Sequence, residues 1–210
     1  MLVVALAGCG AVTSGASAPP TTSASKQLDE LTVAISASMR GYSRDRFPHW
    51  REAGANCNVR DLVLRRDGQN VRLEGCNVVS GRWLSPYDNK AFDAPALVDV
   101  DHLVPLANAW RSGAADWDDQ RRGDFANDLD TPQLLAVSVA TNRSKGDQDP
   151  SLWRPPNRDY WCRYAESWIA VKHRWALSVT AAEKTALRDM LELCPWQSSG
   201  PPTSSRAPAA

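Results

Sequence analysis

DVDHLVPLANAW, residues 99–110, decides how the chain is read. Aspartates alternate with valines up to His102, and the longer run ALVDVDHLVP (96–105) has the β-branched alternation of a short strand that stops near Pro105, a residue unable to donate to a ladder. Only three histidines occur in the whole chain. A strand end that sets a carboxylate beside an imidazole puts a cation ligand next to a base; an ordinary solvated loop is the plainer alternative, and the surrounding sequence has to decide between them.

Downstream, LANAWRSGAADWDDQRRGDFANDL (106–129) is rich in helix formers and broken at Gly113 and Gly123, which predicts two short helices. QLLAVSVA (133–140) reads as a second strand, closed by TNRSKGD (141–147). YWCRYAESWIAVKHRWAL (160–177) and TAAEKTALRDMLELC (180–194) have helical spacing, and Thr180 followed by Glu183 is a capping-box signature. Upstream, the apolar positions of KQLDELTVAISASM (26–39) predict a helix, and NCNVRDLVLRRDGQNVRLEGCNVVSGRW (56–83) reads as an antiparallel hairpin turning at Asp67-Gly68. The order is that of a mixed α+β chain.

At 210 residues the chain predicts one domain with appendages. Twenty-four Lys and Arg balance 24 Asp and Glu, so no overall field draws it to nucleic acid or anionic lipid, and affinity for a polyanion has to come from local placement. The nine tryptophans are scattered and read mostly as packing residues. MLVVALAGCG (1–10) is apolar and ends in Leu6-Ala7-Gly8-Cys9, similar to the lipobox of bacterial lipoproteins, in which the cysteine is lipidated. The run is short and lacks a basic start, as in a signal peptide whose beginning is missing. Residues 1–9 are therefore expected to be a truncated lipoprotein signal, 10–25 a flexible tether, 26–197 the folded domain and 198–210 a disordered tail. Export makes Cys57, Cys76, Cys162 and Cys194 a disulfide set, with no C-x-x-C pair to hold structural zinc. Three pairings exist; Cys57–Cys76 and Cys162–Cys194 are favoured because each brackets a compact segment.

Hydrolysis of a phosphodiester needs a base to take a proton from water, a cation to stabilise charge on the phosphate and the leaving oxygen, and groups that hold the anion. A histidine suits the first role, and aspartate and asparagine oxygens suit a hard cation such as magnesium. The segments DH (101–102) and NRSK (142–145) supply all of these.

VDHLVPL followed by a strand and then NRSKGD resembles the HNH endonucleases with a ββα-metal (His-Me finger) active site. More closely, the run from about Tyr42 through CNVRDLVLRRD, SGRW, DHLVPLANAW, FAND, NRSKGDQDPSLWRPP and WIAVKHRW resembles actinobacterial proteins that share the C-terminal domain of GmrSD-type restriction enzymes. The resemblance implies an HNH core with an N-terminal helix, a disulfide-stapled hairpin and C-terminal helices. It also implies a catalytic set of Asp101, His102, Asn142 and Lys145. In it His102 is the general base, Asp101 and Asn142 hold one divalent cation (magnesium, with manganese as the alternative), and Lys145 contacts phosphate. Asn142 is expected at the start of the motif's helix, whose amides would help hold the anion. Asp101 and His102, being neighbours on a strand, point to opposite sides unless the strand distorts. Gln133 stands where the family has a bracing asparagine.

Asp99 reads either as a carboxylate orienting His102 or as a solvent-facing strand residue. Arg82 and Arg143 are further candidates for phosphate contacts, while Arg60, Arg65, Arg66 and Arg72 are read equally as a solvated hairpin face. His49 and His173, each beside a tryptophan, read as packed imidazoles outside the site. The acidic stretch 116–130 argues against nucleic acid lying across that side. The sequence thus points to an exported nuclease, lipid-anchored through Cys9 to the outer face of the cytoplasmic membrane or secreted, with DNA, or RNA as well, as substrate. The competing reading is a non-catalytic envelope-binding lipoprotein on a degenerate nuclease fold. A cytosolic restriction component conflicts with the lipobox and the cysteines.

Overall fold

A computed structural model describes residues 23–54 and 56–195, so the lipobox, most of the expected tether and the C-terminal tail lie outside the described residues. The architecture is α+β with two small antiparallel sheets. Strands β1 (Gly68–Glu74), β2 (Asn77–Ser85) and β3 (Lys90–Phe92) form one, in the order β1-β2-β3. Strands β4 (Val98–His102) and β5 (Leu134–Ser138) form the other, a ribbon in which Asp99 lies opposite Val137 and His102 opposite Leu134. Between β4 and β5 come the short helices α3 (Leu106–Arg111) and α4 (Asp119–Ala126), and β5 runs directly into α5 (Val139–Lys145). This β4–β5–α5 unit is the ββα arrangement.

Two cores flank the ribbon. Val98, Val100, Leu134 and Ala136 face a small core with Val59, Val63, Leu64 and Trp83. The larger core packs α1 (Ser23–Glu30), α6 (Trp161–Arg174) and α7 (Ala181–Leu191) with Leu103, Val104, Trp110, Phe125 and Val137. The Thr180–Glu183 capping box forms at the start of α7 as its sequence predicts. Both favoured disulfides are present, Cys57–Cys76 and Cys162–Cys194.

Three upstream readings are corrected. The helix expected over 26–39 spans only Ser23–Glu30; the β-branched residues after it run extended, with Val33 bridging Val179 and Ala37 donating to the Arg111 carbonyl. The first half of the expected hairpin is instead helix α2 (Val59–Asp67), nucleated by an Asn58–Asp61 capping box. The Asp67-Gly68 pair is therefore not a hairpin turn. Asp67 accepts from Ala136 N at 2.8 Å and Arg66 donates to the Leu134 carbonyl at 2.5 Å, so the end of α2 covers the otherwise unpaired edge of β5. Gly68 is required by packing, since a Cβ there would lie 2.7 Å from the indole nitrogen of buried Trp83. The hairpin proper is β1–β2, turning at Gly75 (φ +62°), and Cys76 in that turn is tied to Cys57 in the loop ahead of α2 rather than across the two strands.

Candidate active site

β4 ends at His102, and the chain turns through Leu103–Pro105 into α3, so a cleft of about 220 Å³ opens over the strand end. Asp101, His102 and Asn142 all border it. Asp101 and His102 still leave the strand on opposite sides; they reach one cleft because it caps the end of the strand rather than lying on one face.

His102 is 4 % exposed, and its Nε2 lies 2.9 Å from the carbonyl oxygen of Ala126 at the end of α4. A carbonyl only accepts, so Nε2 carries the hydrogen and the neutral ring keeps its lone pair on Nδ1. Burial, which disfavours the imidazolium, lowers the His102 pKa to about 3, with Arg44 and His49 adding to the effect and the Ala126 carbonyl opposing it. The ring stacks on Trp50 at 5.3 Å and meets the edge of His49 at 6.0 Å. His49, set outside the site on its sequence context, is thus a direct neighbour of His102, though its own Nδ1 is engaged with the Phe47 carbonyl at 2.8 Å.

Asp101 accepts from the Tyr87 hydroxyl at 2.6 Å and from the Lys145 ammonium at 3.0 and 2.9 Å. Lys145 is wholly buried and also donates to the His102 carbonyl at 3.0 Å. The expectation that Lys145 contacts phosphate is therefore corrected: the lysine spans α5 and β4 from inside and fixes the Asp-His step. Burial pushes Asp101 above the usual carboxylate range and pulls Lys145 down, each offset by the charge of the other. The Tyr87 hydroxyl is driven well above its ordinary value by burial and then by the Asp101 charge, which leaves it a proton donor.

Asn142 is the fourth residue of α5, and the amide of Thr141 before it is capped by the Ser138 hydroxyl. Its Nδ2 donates to Asp99 Oδ2 at 3.0 Å, which leaves Oδ1 as the free end. Asp99 consequently orients Asn142, not His102, whose orientation comes from Ala126. Gln133 is fully buried; its Oε1 accepts from Val104 N at 3.1 Å and its Nε2 donates to the Val104 carbonyl at 2.9 Å, while its own carbonyl accepts from Leu103 N at 2.7 Å. The longer amide thus clamps the turn that follows His102 on both its backbone groups.

Arg82 bonds Asp93 at 3.3 Å on the hairpin, and Arg143 is exposed on α5 beside Asn142. His173 pairs with Glu30 at 2.8 Å, away from the cleft. Tyr42 and Arg44, neither of which the sequence placed among the site residues, border the cleft from the N-terminal side. Asp101 and Asn142 bring carboxylate and amide oxygens to the border of the cleft, hard donors of the kind a magnesium-like cation takes while keeping most of its waters, and both Asp101 oxygens already accept from Lys145, one of them from Tyr87 as well. The other grouping of potential ligands among the described residues, Cys162, Glu166 and Cys194, has its two sulfurs joined to each other and offers no thiolate.

Residues 59–190, well over half the chain, match the family model described as GmrSD restriction endonucleases, C-terminal domain. A protein of Arthroderma benhamiae described as an "Uncharacterized secreted protein" is 51% identical over 177 residues, covering 84% of this chain and 87% of that one. No solved structure matches. The β4–β5–α5 unit, with its Asp-His strand end facing an asparagine on the following helix, falls inside the matched segment, and the chain belongs to the family of GmrSD restriction endonuclease C-terminal domains, which are HNH-type nuclease domains.

Proposed function

We propose that the protein is an exported endonuclease that hydrolyses phosphodiester bonds in DNA, with RNA as the alternative substrate, with the help of one divalent cation. The family is nuclease-type and generally dependent on divalent metal. The observation that carries the reading is the tautomer imposed on His102: with Nε2 held by Ala126, Nδ1 is the basic atom, on a ring that stays neutral at physiological pH. In this reading Nδ1 takes the proton of the attacking water. A phosphate bound nearby favours the imidazolium and raises the basicity that burial lowers. Asp101 and Asn142 hold the cation, which stabilises charge on the phosphate and the leaving oxygen. Lys145 and Tyr87 fix the Asp101 carboxylate, Asp99 turns the Asn142 oxygen outward, and Gln133 holds the turn after His102.

Export draws support from the secreted relative and from two disulfides, bonds that persist in oxidising compartments. Lipidation of Cys9 belongs to the same proposal. The non-catalytic alternative draws on one observation, that Tyr87 and Lys145 already engage the Asp101 carboxylate. Cleavage of plasmid and single-stranded DNA by the full oxidised chain, with magnesium or manganese against EDTA, separates the two. Metal-dependent cutting that falls at least about a hundredfold in His102→Ala is the expected outcome, as for loss of a general base. Absence of cutting by the folded, disulfide-intact protein under either metal favours the binding role.

A further inference from the structure

The segment that matches the family begins at residue 59, yet the cleft is closed on one side by residues that precede it. Residues 42–52 form a strap that crosses α3 and α4. Phe47 is fully buried and packs on Phe125 and Trp110, with ring centroids at 6.3 and 6.4 Å. Asn127 donates to the Pro48 carbonyl at 2.7 Å and accepts from Arg51 N at 2.9 Å. The strap is thus docked at several points onto the same α4 end whose Ala126 carbonyl orients His102.

Three arginines on this strap differ in what holds them. Arg46 lies over the Trp110 ring at 5.0 Å and within 3.9 Å of Asp119. Arg51 is bound to Asp124 at 2.5 Å. Arg44 is exposed, borders the cleft, and among the described residues makes no side-chain hydrogen bond or ion pair. It sits at the start of a short 3-10 turn, Arg44–Arg46, capped by Ser43, so its backbone is fixed while its guanidinium is left free.

The charges around the cleft cancel in pairs except for this one. Asp101 is matched by buried Lys145, and Asp147, on the far wall, by Arg111 at 2.8 Å. Arg44 is left over, and among the described residues no other lysine or arginine borders the cleft. An unpaired guanidinium facing a cleft whose other charges are neutralised is a site for an anion, and its planar fork matches the oxygens of a phosphate.

We infer that Arg44, supplied by the strap outside the family-matched segment, is the phosphate-binding residue of this cleft and takes the role that burial denies to Lys145. The inference rests on the nuclease reading for its substrate class, a phosphodiester, but not for its test. Binding of fluorescently labelled oligothymidylate to the full oxidised protein is measured in EDTA, where no cleavage occurs, over a series of salt concentrations. Arg44→Ala should weaken binding about tenfold and make the slope of log Kd against log salt shallower by about 0.7, the share of one phosphate contact on a single strand. Arg44→Lys should keep the slope, because it keeps the charge, and Arg40→Ala, changed on an exposed residue beyond the cleft, should match wild type. Arg44 makes no contact that folding needs, and near-ultraviolet circular dichroism confirms the fold of each variant. Unchanged affinity and slope in Arg44→Ala overturn the inference, as does a wild-type protein that binds the oligonucleotide without salt dependence. A wild type that binds through Arg44 but fails to cut when magnesium or manganese is restored leaves the anion site standing and removes the nuclease reading instead.

Discussion

Among the described residues two lysine ammoniums are fully buried, and the chain holds them in nearly the same way. Lys145 meets the Asp101 carboxylate and the His102 carbonyl, and Asp101 takes a second donor, the Tyr87 hydroxyl. Lys172 meets Glu183 Oε1 at 2.7 Å and the Ser178 carbonyl at 2.8 Å, and Glu183 takes a second donor, Trp168 Nε1, at 2.6 Å. The difference lies in what remains of each carboxylate. Glu183 spends its other oxygen on Thr180 N, closing the capping box of α7, so the whole group serves to join α6 to α7. Asp101 has no backbone partner and borders the cleft that also holds His102 and Asn142. Size does not separate the two places: the larger recess, about 310 Å³, is the one beside Lys172 and Glu183, and no imidazole borders it. One locked ion pair joins two helices, and its twin borders a cleft beside an imidazole and an asparagine, where the proposed function would have it serve a cation.

Breaking each pair on one side gives the largest expected effect. Glu183→Ala and Asp101→Ala each leave a buried ammonium without its partner, and each should cost about 3–5 kcal/mol in urea unfolding of the oxidised protein. Replacing both partners by apolar residues removes that penalty, because no orphaned charge is left. Lys172→Met with Glu183→Leu should therefore recover part of the stability, the remainder being lost with the bonds Glu183 accepts from Trp168 and Thr180, and keep cleavage. Lys145→Met with Asp101→Leu should likewise recover part of the stability, the buried Tyr87 hydroxyl losing its acceptor, and abolish cleavage. Cutting at the wild-type rate by the second double variant would remove Asp101 from the cation site and reduce the two pairs to the same structural role.

Acid distinguishes the two regions next. In the unfolded chain the His102 imidazole takes its proton near pH 6.5, but in the folded protein only near 3, because burial excludes the charged form. Between those values the unfolded state binds more protons than the folded state, so stability rises with pH across the window. The contribution is fully present above pH 6.5 and is lost as pH falls toward 3, on the order of a few kcal/mol. Thermal unfolding from pH 7 to pH 4 should show this loss in the wild type and a shallower one in His102→Gln, whose amide does not titrate. Equal slopes would mean that the imidazole is not held neutral by its pocket.

What the sequence revealed follows the range of the forces involved. Alternation in ALVDVDHLVP and the apolar run QLLAVSVA placed β4 and β5, and Thr180 with Glu183 placed the start of α7, because each signal is contained in a few adjacent residues. The disulfide pairing was legible because short loops bring their ends together. Asp67-Gly68 misled as a turn signal, although Asn58 and Asp61 carried the competing capping box and Val59, Val63 and Leu64 share a helical face. The burial of Lys145 was hidden, because it depends on Tyr87 and Asp101 closing around the ammonium from other elements. Trp50, stacked on His102 across 52 positions of sequence, left no local trace at all.

Gln133 tests the smallest difference, a single methylene. Its side chain reaches both backbone groups of Val104 from a fully buried position. Shortening it to Asn leaves too little reach for both bonds and opens a gap where no water enters easily, so one buried donor or acceptor goes unpaired. Gln133→Asn should therefore lower stability by about 1–3 kcal/mol rather than raise it. On the proposed mechanism it should also reduce cleavage about tenfold, because the clamped turn directly follows the proposed base His102 and rates fall steeply with misplacement of a reacting group. The corresponding shortening beside the other ion pair, Glu183→Asp, disturbs a carboxylate that only joins two helices and should lower stability while the cleavage rate of the folded fraction stays unchanged. If Gln133→Asn cuts as fast as wild type, the clamp on Val104 is architecture like the α6–α7 lock, and the aim of His102 rests on the Ala126 carbonyl and the Trp50 ring alone.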